Sequence, residues 1–189
     1  MDDRIRPLEP PFETDVDAQL RSMMPPGIAP IALFRTFARN LAMARAMEPW
    51  GRYQLGQGFS CGLRQREIVI DRTCARCGCE YEWGVHVAFF AERASLTDPQ
   101  VTSLAHGSDG DPCWASERDR LLIRLVDNLH DSGDLGDQLW AALAEHFDQA
   151  QLLDLTMLCG WYHAISFTAR AARVPLEAGA PTFDAVRRL

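Results

Sequence analysis

The densest chemistry in the sequence lies in the stretch REIVIDRTCARCGCEYEWGVH, from Arg66 to His86. Three of the chain's six cysteines, Cys74, Cys77 and Cys79, fall within six residues of it. Glu82 and His86 follow at 3 and 7 residues beyond Cys79. Helical offsets of 3, 4 and 7 put Cys79, Glu82 and His86 on one face, within side-chain reach of one another. A thiol at the start of such a helix has its pKa lowered by the dipole, and a neighbouring carboxylate and imidazole can relay protons to or from it. Glu67 sits beside the apolar run Ile68-Val69-Ile70, where partial burial would raise a carboxyl pKa into a useful range. Plainer readings stand beside these: a packed Cys79, an exposed Glu82, a hydrogen-bonded helix His86, and a surface Glu67 paired with Arg64 or Arg66. Spacing alone favours the plainer set.

Cys74 and Cys77 form a C-x-x-C, but without the strand-to-helix context of a dithiol redox motif. Cys74, Cys77, Cys79 and His86 could be written as a zinc set. A structural zinc site normally joins two ligand clusters from separate segments, and this is one cluster, so no metal is expected. Cys61, Cys113 and Cys159 carry little signal. Tyr162 and His163 fall late in an apolar helix and are candidates to face a pocket, as is Arg66. His106, His130 and His146 receive no role.

The elements that must position these groups read as helices throughout, because no segment alternates with period two. An extended Pro-rich arm occupies 1–15, and a short helix covers 16–24. A helix is expected over 31–47, with Pro49 interrupting it and a short piece at 50–57. The cysteine stretch reads as a helix over 61–73, a break at Gly78, and a second helix over 79–94. Thr97-Asp98-Pro99-Gln100 is a capping-box start for a short helix to 104. An amphipathic helix follows over 114–131, with Gly133 just past its end, and then another over 136–147. Asp148 with Gln151 looks like an N-cap box for a long helix to 173, apolar most of the way round and so expected to be central. A last short helix falls in 180–189. The fold class is all-α, divided as arm and short helix (1–29), helical domain (30–177) and tail (178–189).

Length and composition suit one domain: 189 residues, 47% hydrophobic, net charge −7. The negative balance with scattered Arg argues against nucleic acid as a partner. No apolar run reaches the roughly 20 residues of a membrane span, and no apolar leader opens the chain, so a cytoplasmic location with reduced thiols is expected.

The motifs R-E-I-V-I from Arg66 and C-E-Y-E-W-G-V-H from Cys79 resemble the carboxymuconolactone decarboxylase and alkylhydroperoxidase D superfamily. Asp127-Asn128-Leu129-His130-Asp131, Trp140-Ala141-Ala142-Leu143, Gly160-Trp161-Tyr162-His163 and Val174-Pro175-Leu176-Glu177 extend the resemblance over about residues 30 to 177. It implies an all-α fold that assembles as dimers, trimers or hexamers, and chemistry without a cofactor. In the peroxidase branch Glu67 and His86 fall on the proton relay and Cys79 on the resolving cysteine, while Glu82 stands where the peroxide-attacking cysteine would be. A thiol peroxidase here would need Cys79 to attack, Cys74 or Cys77 to resolve, a hydroperoxide substrate and a thiol or lipoyl-type electron donor. In the decarboxylase branch Glu67, Glu82 or His86 would serve as general acid on a small cyclic carboxylate such as a muconolactone, with Arg66, Arg72 or Arg76 holding its charge. The expectations stand in the order peroxidase-like antioxidant enzyme, cofactor-independent lyase, and non-catalytic protein of the same fold.

Overall fold

The computed structural model describes residues 3–187, and every regular element among them is helical. In chain order these are α1 Thr14–Ser22, α2 Ala32–Phe37, α3 Leu41–Leu55, α4 Leu63–Arg76, α5 Glu80–Phe90, α6 Asp98–His106, α7 Glu117–Ser132, α8 Asp137–Ala144, α9 Gln149–Ala172 and α10 Phe183–Val186. A single 3-10 turn, Ala38–Asn40, joins α2 to α3.

The centre of the molecule is α4. It packs against α5, α6, α7 and α9, and its residues from Arg66 to Cys74 are all buried. The β-branched run Ile68-Val69-Ile70 is fully buried inside it. Tertiary burial on all sides overrides their strand preference. The long helix α9, expected to be central, instead covers one flank of α4 and leaves Leu153, Met157 and Phe167 exposed.

The break between α2 and α3 comes at Asn40, not at Pro49. Asn40 has left helical geometry, and its Oδ1 accepts the Met43 N–H at 3.1 Å, capping α3. Pro49 then lies inside α3, which continues to Leu55. The start of α2 has no side-chain cap of its own. The Tyr81 hydroxyl on α5 accepts the Leu33 N–H at 2.9 Å and donates to Glu177 at 2.7 Å, so the segment after α9 ties α2 to α5.

Between α4 and α5 the chain reverses in a tight turn. Gly78 takes φ +62°, the Cys79 N–H bonds the Cys74 carbonyl at 2.8 Å, and the Gly78 N–H bonds that of Ala75 at 2.9 Å. This paired pattern is the Schellman motif, which a residue without a Cβ adopts at no steric cost. Further along α5, Gly84 is required by proximity: a Cβ there would meet the Pro181 carbonyl oxygen at 2.6 Å.

Both predicted capping boxes are present, at Thr97/Gln100 and at Asp148/Gln151. Asp148 accepts the Gln151 N–H at 2.9 Å and Gln151 returns a bond to the Asp148 N–H at 3.1 Å. Asp148→Ala removes the first of these. The expected outcome is a loss of about 1 kcal/mol, read as a fall of roughly 2–4 °C in melting temperature. An unchanged melting temperature would show that α9 is held without its cap.

Candidate functional site

The site is built by three helices. α4 supplies Arg66 and Glu67, α5 supplies Glu82 and His86, and α9 supplies Tyr162. Glu67 is fully buried. One of its oxygens accepts Arg66 Nε at 2.8 Å and the other accepts His86 Nδ1 at 2.8 Å. The far nitrogen of the same imidazole, Nε2, is 3.0 Å from the Tyr162 hydroxyl and 3.5 Å from Glu82 Oε1. Glu82 is one turn before His86 on α5, and its second oxygen is buried without a hydrogen-bond partner.

These groups form the wall of a cavity of about 810 Å³. Arg66, Glu82, His86 and Tyr162 all reach it, whereas Glu67 sits behind His86 and does not. Its other walls are largely apolar, with Phe34, Phe37, Phe89 and Trp161 among them. Phe90 is flanked by two guanidinium groups, Arg66 at 5.3 Å and Arg93 at 5.4 Å from its ring centre, and all three line the cavity.

Burial disfavours the imidazolium of His86, but the charges of Glu67 and Glu82 and their hydrogen bonds outweigh it and push its pKa up to about 10. Tyr162 is held well above its ordinary value by burial and then by Glu82 and Glu67, so its hydroxyl stays protonated. Asp71, one turn after Glu67 on α4, is buried with both oxygens unpartnered. Burial and the charge of Glu67 raise it well above the usual carboxylate range, although His86 opposes them. It is a neutral carboxyl packed behind the site, and the sequence reading missed it.

The thiols are elsewhere. Cys79 ends up as the N-cap of α5 instead of a residue on its Glu82/His86 face. It is fully buried and is not part of the cavity wall. The expectation of a dipole-lowered thiol is reversed. Burial pushes Cys79 up to about 11, and the Glu82 backbone N–H pulls back without overcoming it. Cys74 and Cys77 are also buried and raised by burial, and neither reaches the cavity. Ser166 of α9, buried nearby, moderates each rise. The cysteine that does line the cavity is Cys61, to which the sequence gave no role, and burial raises it to about 11 as well.

Other expectations are corrected by the same geometry. His163 does not line the cavity; it contacts Cys159 and His130. Arg72 and Arg76 are unavailable to a substrate: Arg72 grips Asp127 at 2.7 and 2.8 Å, and Arg76 pairs with Asp131. Arg93 is the cation the sequence reading overlooked. Arg64, offered as a partner for Glu67, bonds Asp119 at 2.9 Å. Both nitrogens of His86 are engaged, Nδ1 with Glu67 and Nε2 with Tyr162.

A folded-state pKa above the unfolded value means stability gained from the proton. The His86 contribution is complete below about pH 6.5 and is lost as pH rises from there through about 10. Urea denaturation of wild type and His86→Gln across this range isolates it, since other alkaline titrations cancel in the difference. The wild type is expected to lose its advantage progressively, and parallel curves would disprove the ion pair. Removing the carboxylate by Glu67→Ala leaves the buried cations Arg66 and His86 without their shared anion. The expected cost is about 3–5 kcal/mol.

No family model matches the sequence, and no curated protein does. Solved structures do. An uncharacterized peroxidase-related protein from Silicibacter sp. TM1040 superposes with a TM-score of 0.78 at 16% identity, over 92% of this chain and 91% of that one. A protein of unknown function from Agrobacterium tumefaciens, suggested to be the antioxidant defence protein AhpD, gives 0.66 at 18%, over 75% and 96% of the two chains. The debrominase Bmp8, in complex with 2,3,4-tribromopyrrole, gives 0.72 at 15%, over 100% and 96%. At such identities the likeness concerns the backbone arrangement and not the reaction. The chain shares the all-helical fold of these alkylhydroperoxidase D-like, peroxidase-related and debrominase structures.

Proposed function

We propose that the protein is a cofactor-independent acid–base enzyme that decarboxylates a small, largely apolar cyclic carboxylate of the lactone-acid type. The observation that carries this reading is the cavity wall itself. Glu82 presents a buried oxygen without a partner, and beside it stands a protonated imidazole held from behind by Glu67. A protonated His86 and a neighbouring carboxylate with one oxygen unpartnered are the parts that general acid–base catalysis needs. Arg93 at the same cavity supplies positive charge for the substrate carboxylate, whereas the charge of Arg66 is already answered by Glu67. The apolar walls suit its ring, and the debrominase Bmp8, of the same fold, is known in complex with a small ring compound, 2,3,4-tribromopyrrole.

In the reaction the bond from ring carbon to carboxylate breaks and carbon dioxide leaves. The electron pair passes into the lactone as a dienolate. The His86 imidazolium delivers its Nε2 proton to the carbon, the Glu82 carboxylate takes a proton from water and passes it back to the imidazole, and Tyr162 and Glu67 hold the ring in place. Binding the carboxylate in an apolar, water-poor cavity favours loss of its charge as neutral carbon dioxide.

The test is a panel of lactone acids followed by ultraviolet absorbance, with turnover in heavy water placing one deuterium on the product carbon. Glu82→Gln is expected to lower turnover at least about 100-fold. Cys79→Ser is expected to stay within about two-fold of wild type, because its thiol does not reach the cavity. No turnover of any acid, or equal loss in both variants, would sink the reading.

A second reading is supported by the gathering of Cys74, Cys77 and Cys79 around Ser166. In it, the Cys79 sulfur displaces alcohol from a hydroperoxide to give a sulfenate. The Cys74 thiol then condenses with it to a disulfide, releasing water, and a thiol or lipoyl-type donor restores both thiols. Native-state alkylation separates the two readings. Burial and the raised pKa predict that Cys79 reacts only after denaturation. Rapid native labelling, with sulfenate or a Cys74–Cys79 disulfide after mild peroxide, would favour the peroxidase.

A further inference from the structure

A second convergence of donor groups lies at the other end of α4, away from the cavity. It is made by Cys77 at the end of α4, His130 on α7 and His163 on α9. The Cys77 sulfur and one nitrogen from each histidine all lie within 4.8 Å of one another. None of the three lines the cavity.

The protonation of His163 is fixed by its surroundings. Its Nδ1 is 2.8 Å from the Cys159 carbonyl oxygen, one turn back on α9, and an oxygen acceptor there requires that Nδ1 carry the proton. The proton on Nδ1 leaves Nε2 with a bare lone pair. That lone pair points at His130 Nδ1, 2.9 Å away. A backbone carbonyl that locks one ring nitrogen and turns the other toward a common point is the usual outer support of a metal-bound histidine. A plain hydrogen bond between the two rings would account for two of the three groups. It leaves the convergent thiol of Cys77 unexplained.

We propose that Cys77, His130 and His163 form a zinc site, with one sulfur and two nitrogen ligands and a fourth position open to water or an exogenous ligand. This donor set and number match the chemistry of open zinc sites. Bonds of about 2.0–2.3 Å would set the three ligand atoms roughly 3.3–3.7 Å apart. The rings separate slightly from their 2.9 Å contact and the sulfur closes in, movements within side-chain reach. Binding displaces the Cys77 thiol proton into solvent, and the Nδ1 proton of His130 moves to its own Nε2. Two cations oppose the metal's charge: Arg76 near His130, held by the carboxylates of Asp127 and Asp131, and Arg170, whose guanidinium bonds the Cys77 carbonyl at 2.6 Å. The metal would clamp the ends of α4 and α7 to the middle of α9. It is independent of the acid–base reading, because the two share no residue.

The test uses the reduced, tag-free chain and Co²⁺ as a spectroscopic stand-in. Wild type is expected to bind one equivalent with a thiolate-to-cobalt charge-transfer band in the near ultraviolet. Zn²⁺ is expected to displace it and to raise the melting temperature. Cys77→Ser should lose the band. His130→Ala and His163→Gln should each weaken binding at least about ten-fold and lose the zinc-dependent rise in melting temperature. Circular dichroism of each variant checks folding, and His130→Asn replaces any variant that fails. Absence of the band in wild type, its survival in Cys77→Ser, or undiminished binding in the histidine variants would overturn the proposal.

Discussion

A carboxylate sealed from water must have its charge answered nearby, and Glu67 is sealed completely. Arg66 and His86 answer it from opposite sides, one on its own helix and one on the next. This three-member group decides how α4 and α5 sit against each other. It also fixes which nitrogen of His86 faces the cavity, because the other is committed to the carboxylate. A buried pair of this kind adds little net stability over an apolar packing, but removing one member leaves an unanswered charge. The arrangement therefore holds the imidazole in one orientation and one charge state more than it holds the fold together.

The same helix hairpin separates two chemistries. Glu82 and His86 point from α5 toward an apolar cavity, while Cys74, Cys77 and Cys79 cluster around the turn under α9. The Schellman turn at Gly78 produces this division, since it places Cys79 outside the helical register of the residues that follow. Carboxylates and an imidazolium tolerate their positions because they pair with each other. Among the three thiols Cys77 has cations nearby, Arg170 and Arg76, but burial outweighs them, and the thiols behave as small apolar groups.

Along the rest of α4 the pattern of answered charges repeats. Arg72 reaches Asp127, and Arg76 reaches Asp127 and Asp131, tying α4 to α7. Arg64 does the same with Asp119 near the other end. A helix carrying this many charges can be the core of the molecule because Arg64, Glu67, Arg72 and Arg76 each have a partner on a neighbouring helix. At its far end the partnering gives way to Cys77, His130 and His163, drawn together from three helices.

The sequence by itself determined the helical class, both capping boxes, the glycine break at Gly78 and the αL cap at Gly133, because these depend on residues a few positions apart. It also singled out Glu67, Glu82 and His86 through their resemblance to a known motif, and the structure brings these three side chains together. It misjudged which helix is central, because ion pairs made across helices disguise α4 as a surface element and the apolar run of α9 looks more buried than it is. Asn40, Asp71, Arg93, Cys61 and the partners of His163 were invisible for the same reason. Each acquires its role from groups on other elements or from local geometry that composition does not reveal. Only the tertiary structure decided that the thiols are sealed away from the cavity, since burial and pKa depend on what the rest of the chain places around them.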